Sequence, residues 1–240
     1  MLARRWNQTK GKVQILSETT DEPLTLAGAL CGVCWGADTT NPEKNFKRGL
    51  DCLRSGHGRV LEYPQIYMIL DGWSARVIRE FTRHLGGAPT YLQASTRYID
   101  YNDFKYFIPP AIQNIEEAKQ IYIDCMNNTM KTIQNLETEF NIKREDTANL
   151  LPLGMETKIV YRTNLRMLID MAKVRKCTRA YHEFRELFKA IEDSLCVYSD
   201  EWEYLIKEEH IFKTKCEILN YCNETYGCGK YPKREEVINA

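Results

Sequence analysis

The 240-residue sequence carries no charge of one sign to speak of: 33 Lys and Arg stand against 33 Asp and Glu, for a formal net charge of zero and an isoelectric point near 6.9. A dedicated nucleic-acid binder shows a basic excess, so that class is set aside. No apolar run approaches the roughly 18 residues a membrane helix needs. The first residues, MLARRWNQTKGKVQIL, start basic but have neither an apolar h-region nor a small-residue cleavage site, so no signal peptide is expected there. Internal repeats, low-complexity tracts and long linkers are missing too. The expectation is therefore one domain over 1–240, with a C-terminal extension from about 200, in the cytoplasm.

Other residue types are plentiful. Nine cysteines, an odd number at irregular spacing, argue against a secreted disulfide framework and for free thiols in a reducing compartment. Fourteen tyrosines and four tryptophans exceed what core filling needs, and some are expected to stack on ligands or subunits. Apolar residues at 43% and charged residues at 28% are ordinary for a globular chain.

The pattern along the chain predicts an α/β (α+β) fold, a mixed sheet flanked by several helices. Strands are expected over 12–17 and 62–72, the latter ended by Asp71-Gly72. Helices are expected over 24–31, 44–56 (closed by Gly56), 114–139, 143–150, 162–175 and 178–197, with a short one after 200. Ser74 reads as an N-cap for a helix that Gly86-Gly87 stops. Arg76, Arg79 and Arg83 would then share one face of that helix. Residues 97–107, rich in Tyr and Phe, read as extended. Pro152 and Gly154 read as an interruption before the 162–175 helix.

TRHLGGAPTYLQASTRY (82–98) resembles scaffold least. Two guanidiniums (Arg83, Arg97), the His84 imidazole, the Ser95 hydroxyl and a Gly-Gly-x-Pro loop suit an anion. Gln93 and Ser95 alternate along an extended segment, so both could face one ligand. The same residues also fit a helix C-terminus whose cations offset the dipole, followed by an ordinary loop. Spacing alone leaves both readings open.

RHLGGAPTYLQASTRY resembles the signature of the flavin-dependent thymidylate synthase family, which has Arg-His-Arg, seven residues, then Ser and Arg-Tyr. SGHGRVLEY (55–63) is similar to its Gly-His segment. LPLGMETKIVYRTNLRMLIDMAKVRKCTRAYHEFREL (151–187) is similar to its Leu-Pro, Asn-x-Arg, helix, Arg and Ala-x-x-Glu segment. CGVCWGAD (31–38) echoes a cofactor-proximal stretch. The resemblance spans roughly 30–190.

That resemblance implies methylation of dUMP to dTMP, with methylenetetrahydrofolate as carbon donor and NADPH-reduced FAD as hydride donor, in a homotetramer with shared sites. It implies FAD contacts from Cys34, His57, Arg59, Glu62, Arg83, His84, Asn164, Arg166 and Asp170. It implies dUMP contacts from Glu80, Arg83, Gln93, Ser95, Arg97 and Arg175. Arg175 and His84 would be the catalytic pair, with no protein nucleophile, no metal and no membrane or nucleic-acid partner. The sequence departs from the family pattern at Leu85 (an arginine in the triplet), at Gln93 (an acid), at Asn149 (near a common arginine) and at Tyr181 (a common glutamine), and its motif loop is longer. These departures keep two alternatives open: a related enzyme that hydroxymethylates or methylates another pyrimidine nucleotide, and a nucleotide-binding protein without turnover.

Plainer readings compete at single positions. His57 after Gly56 fits a helix C-terminus. Arg166 with Asp170, and Arg179 with Glu183, fit i, i+4 ion pairs. Cys31-x-x-Cys34 with Cys222 and Cys228 could hold zinc, but the spacing favours small buried residues and free tail thiols.

Overall fold

The computed structural model describes residues 11–86 and 89–238. In chain order the elements are β1 (Lys12–Ile15), α1 (Pro23–Val33), α2 (Pro42–Arg54), β2 (Gln65–Ser74), α3 (Ala75–Phe81), β3 (Thr90–Gln93), α4 (Pro110–Gln113), α5 (Glu116–Thr138), α6 (Arg144–Thr147), β4 (Glu156–Asn164), α7 (Leu165–Arg175), α8 (His182–Tyr198), α9 (Asp200–Lys207), α10 (Lys215–Leu219) and α11 (Arg234–Ile238); single 3-10 turns span Gly58–Glu62 and Ala148–Leu150. The strands form one four-stranded sheet in the order β1-β2-β4-β3. The helix-and-sheet class expected from sequence is the class observed.

The chain divides into two compact units. Among the described residues, the first comprises those up to Lys12, Leu70–Thr82 and Leu92–Val160; the second comprises Val13–Ile69, those within Arg83–Tyr91 and those from Tyr161 onward.

In the second unit α1 and α2 meet backbone to backbone. A Cβ on Gly28 would land on the Asn45 carbonyl, and one on Gly49 would land on the Leu24 carbonyl. Asn41 caps α2 by accepting from Lys44 N at 2.9 Å, and Gly56 ends it at φ +77°, where a side chain would be strained. Glu201 accepts from Leu24 N at 2.7 Å, supplying the cap that α1 lacks from its own N-cap residue. Phe184, Leu187, Phe188, Ile191 and Leu195 form the buried stripe of α8, and Trp202 is buried with its indole N–H donating to the Thr20 carbonyl at 2.8 Å.

In the first unit Ser74 caps α3 as expected, its hydroxyl accepting from Val77 N at 3.1 Å. Phe104, Met126, Ile133 and Met155 form its core. The Tyr122 hydroxyl donates to the Phe107 carbonyl at 3.1 Å, fastening α5 over the segment before Pro109.

Several boundaries differ from expectation. Residues 156–164 are a strand, with Thr157, Ile159, Tyr161 and Thr163 buried in alternation, and the following helix starts at Leu165. The 97–107 segment is irregular, broken by turns, with one bridge at Tyr106 to Met155. Helix α3 ends at Phe81, so Arg83 does not share a helical face with Arg76 and Arg79. The stop expected at Gly86-Gly87 comes too late for this helix, and Gly87 lies outside the described residues. The 143–150 helix is a turn of α-helix followed by a 3-10 turn, and α8 begins at His182, after a turn over 178–181.

Candidate active site

The residues singled out from sequence divide between the units. Cys34, His57, Arg59, Glu62, Arg83, His84, Asn164, Arg166, Asp170 and Arg175 belong to the second; Glu80, Gln93, Ser95 and Arg97 belong to the first.

In the second unit, the turn Gly58–Glu62 meets the start of α7. Glu62 takes the Arg166 guanidinium at 2.6 Å through one oxygen and the Arg59 guanidinium at 3.3 Å through the other. Gly58 has no side chain, and a Cβ there would stand 3.4 Å from the Arg166 Cζ. Two guanidiniums against one carboxylate leave this ledge positive, and its glycine leaves the backbone open to a ligand. Arg166 therefore does not pair with Asp170; Asp170 accepts from the Lys173 ammonium at 2.6 Å. Arg179 likewise turns to Glu224 while Glu183 is buried. Asn164 caps α7, accepting from Met167 N at 2.9 Å, so its side chain fixes the helix that carries Arg166 and Arg175. Cys34 is exposed just after α1, while Cys31 is buried against Cys52 with sulfurs 3.2 Å apart. The Cys-x-x-Cys pair is therefore not a joined dithiol.

Arg175, at the last turn of α7, donates from Nε to His84 Nε2 at 2.9 Å. Its guanidinium lies 4.8 Å over the Phe184 ring, and the His84 ring meets the same phenyl edge-on at 6.0 Å. Burial pushes His84 down to about 4, and the Arg175 guanidinium adds to that effect. The imidazole is thus neutral at pH 7, and its Nε2 is the acceptor. A guanidinium held along one edge by an acceptor and along one face by a phenyl ring has its direction set in advance. Arg83, beside His84, and Leu85 are exposed. Gly86 sits against Met167: a Cβ there would meet the thioether methyl.

In the first unit, the Gln93 amide donates to Thr157 Oγ1 at 3.5 Å. The backbone of Ala94 donates to the Lys158 carbonyl at 2.8 Å, docking the motif segment on β4. The Ser95 hydroxyl accepts from Arg97 N at 3.2 Å, forming a small turn. The Arg97 side chain pairs with Glu145 at 3.1 Å. Glu80 stands 4.0 Å from the Arg76 guanidinium. Asn149 donates to the Asp146 carbonyl at 3.0 Å, within its own turn.

Sequence reasoning missed Phe184 as the shelf under Arg175 and Glu145 as the partner of Arg97. Phe184 showed only as one member of an apolar helix stripe, and nothing local ties Glu145 to a residue 48 positions earlier.

Residues 15–196 match the family model described as Thymidylate synthase complementing protein. The chain belongs to this family. Among its relatives, a flavin-dependent thymidylate synthase of Nitratidesulfovibrio vulgaris is 27% identical, over 96% of this chain and 99% of that one. Another, of Clostridium tetani, is 30% identical over 73% and 78%. The fold is also that of a flavin dependent thymidylate synthase from Helicobacter pylori solved with FAD and dUMP, with a TM-score of 0.63 at 24% identity, covering 82% of this chain and 98% of that one. Among the described residues no helix is long and apolar enough to cross a membrane.

Proposed function

We propose that this chain is a flavin-dependent thymidylate synthase. It converts dUMP to dTMP, taking the carbon from methylenetetrahydrofolate and the electrons from NADPH through FAD. The observation that carries the reading is the Arg175–His84–Phe184 cluster, together with family membership.

The ledge of Gly58, Arg59 and Arg166 fits the diphosphate of FAD: donors in fork geometry, a net positive charge and a backbone with no side chain in the way. His57, Cys34, Asn164 and Asp170 stand on the elements that frame that ledge or continue from it. Bound there, FAD would supply the hydride. The chain's own residues do the rest. Arg175 stabilises negative charge building on the uracil ring oxygens, which makes C5 nucleophilic. His84, neutral at working pH, keeps that guanidinium in place and does not repel it. Ser95 and Arg97 receive the nucleotide phosphate, with Arg97 exchanging Glu145 for it. Arg83, Gln93 and Glu80 complete the nucleotide contacts.

Membership of the family supports reading the enzyme as a homotetramer whose sites draw on more than one subunit, and a cytoplasmic location suits such an enzyme. Gln93 in place of an acid and the exposed Leu85 in place of an arginine favour a second reading, a flavin and folate enzyme acting on another pyrimidine nucleotide. Incubation with FAD, NADPH, methylenetetrahydrofolate and either dUMP or dCMP, followed by product mass, separates them. Formation of dTMP from dUMP is expected; a hydroxymethylated product or a preference for dCMP would favour the second reading, and no turnover of either would defeat both.

A further inference from the structure

Where α1 crosses α2, two glycines clear the space between the backbones. A Cβ on Gly28 would stand 1.8 Å from the Asn45 carbonyl oxygen, and one on Gly49 would stand 2.0 Å from the Leu24 carbonyl oxygen. Three residues beyond each glycine, close to one helical turn, stands a cysteine: Cys31 on α1 and Cys52 on α2. That spacing puts each cysteine on the face its glycine presents to the other helix. The two sulfurs accordingly meet at 3.2 Å. Both side chains are buried, Cys31 at 7% exposure and Cys52 at 2%.

The pair is tied to the elements around it. The Cys52 carbonyl accepts from His57 N at 2.9 Å, and both helices pack on the Gly58–Glu62 turn. Burial, with the Cys31 contact adding to it, pushes the Cys52 thiol up to about 11. Cys52 is therefore protonated at pH 7 and does not open a reaction by itself. Cys31 is the sulfur nearer to solvent, and a small reagent reaches it first.

We propose that Cys31 and Cys52 are a modification site: hydrogen peroxide joins them in a reversible disulfide that staples α1 to α2. The Cys31 sulfur attacks one peroxide oxygen, the O–O bond breaks, and the released hydroxide leaves as water with the Cys31 proton. The Cys52 sulfur then attacks the sulfenic sulfur, the S–O bond breaks, and a second water leaves with the Cys52 proton. Two thiols lose two electrons, and one peroxide is reduced to two waters. Peroxide is small enough to follow a slight opening of the crossing, whereas a bulky disulfide oxidant is shut out. The sulfurs have about 1 Å to close before they bond, a shift that side-chain rotation at two unbranched residues supplies. A thiol reductant reverses the bond by exchange. The link spans 21 positions of chain, so it constrains the unfolded state and stabilises the fold. It needs neither flavin nor nucleotide, so it stands apart from the proposed reaction.

The test treats the folded full-length chain with hydrogen peroxide, blocks the remaining thiols with iodoacetamide and maps tryptic fragments without reductant. Cleavage after Lys12, Lys44, Arg48 and Arg54 puts Cys31 and Cys34 in fragment 13–44 and Cys52 in fragment 49–54. These two fragments should appear joined, and dithiothreitol should part them. Cys34→Ser should keep the joined pair, and Cys31→Ser should lose it. The Cys34→Ser map decides the matter even if Cys31→Ser folds poorly, because fragment 13–44 then holds a single thiol. The oxidised chain should melt about 5–10 °C above the same chain returned to thiols. Fragments that stay separate after the exposed Cys125 has been oxidised, a joined pair that is lost in Cys34→Ser, or a melting temperature that does not rise would each overturn the staple.

Discussion

The role proposed for Arg175 at a pyrimidine calls for a side chain whose direction is fixed before substrate arrives. His84 and Phe184 fix it, one along an edge at 2.9 Å and one under a face at 4.8 Å. Arg175→Ala is expected to cut turnover by about 10²–10³-fold, the cost typical of losing one preorganised donor. FAD absorbance of the purified variant should be unchanged, because the ledge at Gly58, Arg59 and Arg166 lies at the other end of α7. Equal losses of flavin and activity would remove Arg175 from the chemical step. His84 makes a separate prediction. In the unfolded chain its imidazole takes a proton at the ordinary value of 6.5, whereas the folded chain resists until about 4. Between those values the unfolded state binds more protons, so stability falls as pH drops through the window and is full above it. Urea unfolding at stepped pH should show that slope, and His84→Gln should flatten it. A side-chain titration by NMR with a midpoint near 6.5 would contradict the neutral acceptor.

At the scale of elements, the sequence announced what local chemistry decides. Ser74 and Gly56 marked real helix ends because a cap hydroxyl and a positive-φ glycine act within a few residues. The apolar stripe of α8 was legible from spacing alone. Strand β4 was not, because half of its buried face is threonine (Thr157 and Thr163), and a polar residue in an alternating pattern hides the period. The aromatic run 97–107 misled in the opposite sense, since its rings serve packing on α5 and not a ladder. The candidate site residues could be picked out only as motif members. Which carboxylate faces which guanidinium depends on partners far apart in sequence, as with Glu62 and Arg166, and spacing on one helix pointed to Asp170 in error. The crossing of α1 and α2 offers a test at this scale. Gly49→Ala would drive a methyl into the Leu24 carbonyl, which belongs to a helix backbone and cannot swing aside. A loss of about 3 kcal/mol in urea unfolding is expected, at the upper end of overpacking costs. Gly36→Ala is no neutral control for it, because φ +61° strains any side chain there even though the space is open.

At the scale of the whole molecule, the division of the site residues matters most. Arg175 and His84 belong to one compact unit, and Ser95 and Arg97 to the other. If the working site takes its uracil contact from one subunit and its phosphate contacts from another, each of two defective chains can supply what the other lacks. Arg175→Ala and Arg97→Ala should each be nearly inactive alone. Mixed under conditions that let subunits exchange, they should recover roughly a quarter of wild-type activity, because random pairing joins an intact Arg175 to an intact Arg97 in about one site in four. Sites built within one chain behave differently, since every chain in the mixture then carries a defect in its own site and no mixing restores it. Activity measured against the mixing ratio, with a maximum at equal amounts, therefore reads the composition of the site directly, and a flat, inactive profile despite proven exchange would place all of its residues on a single subunit.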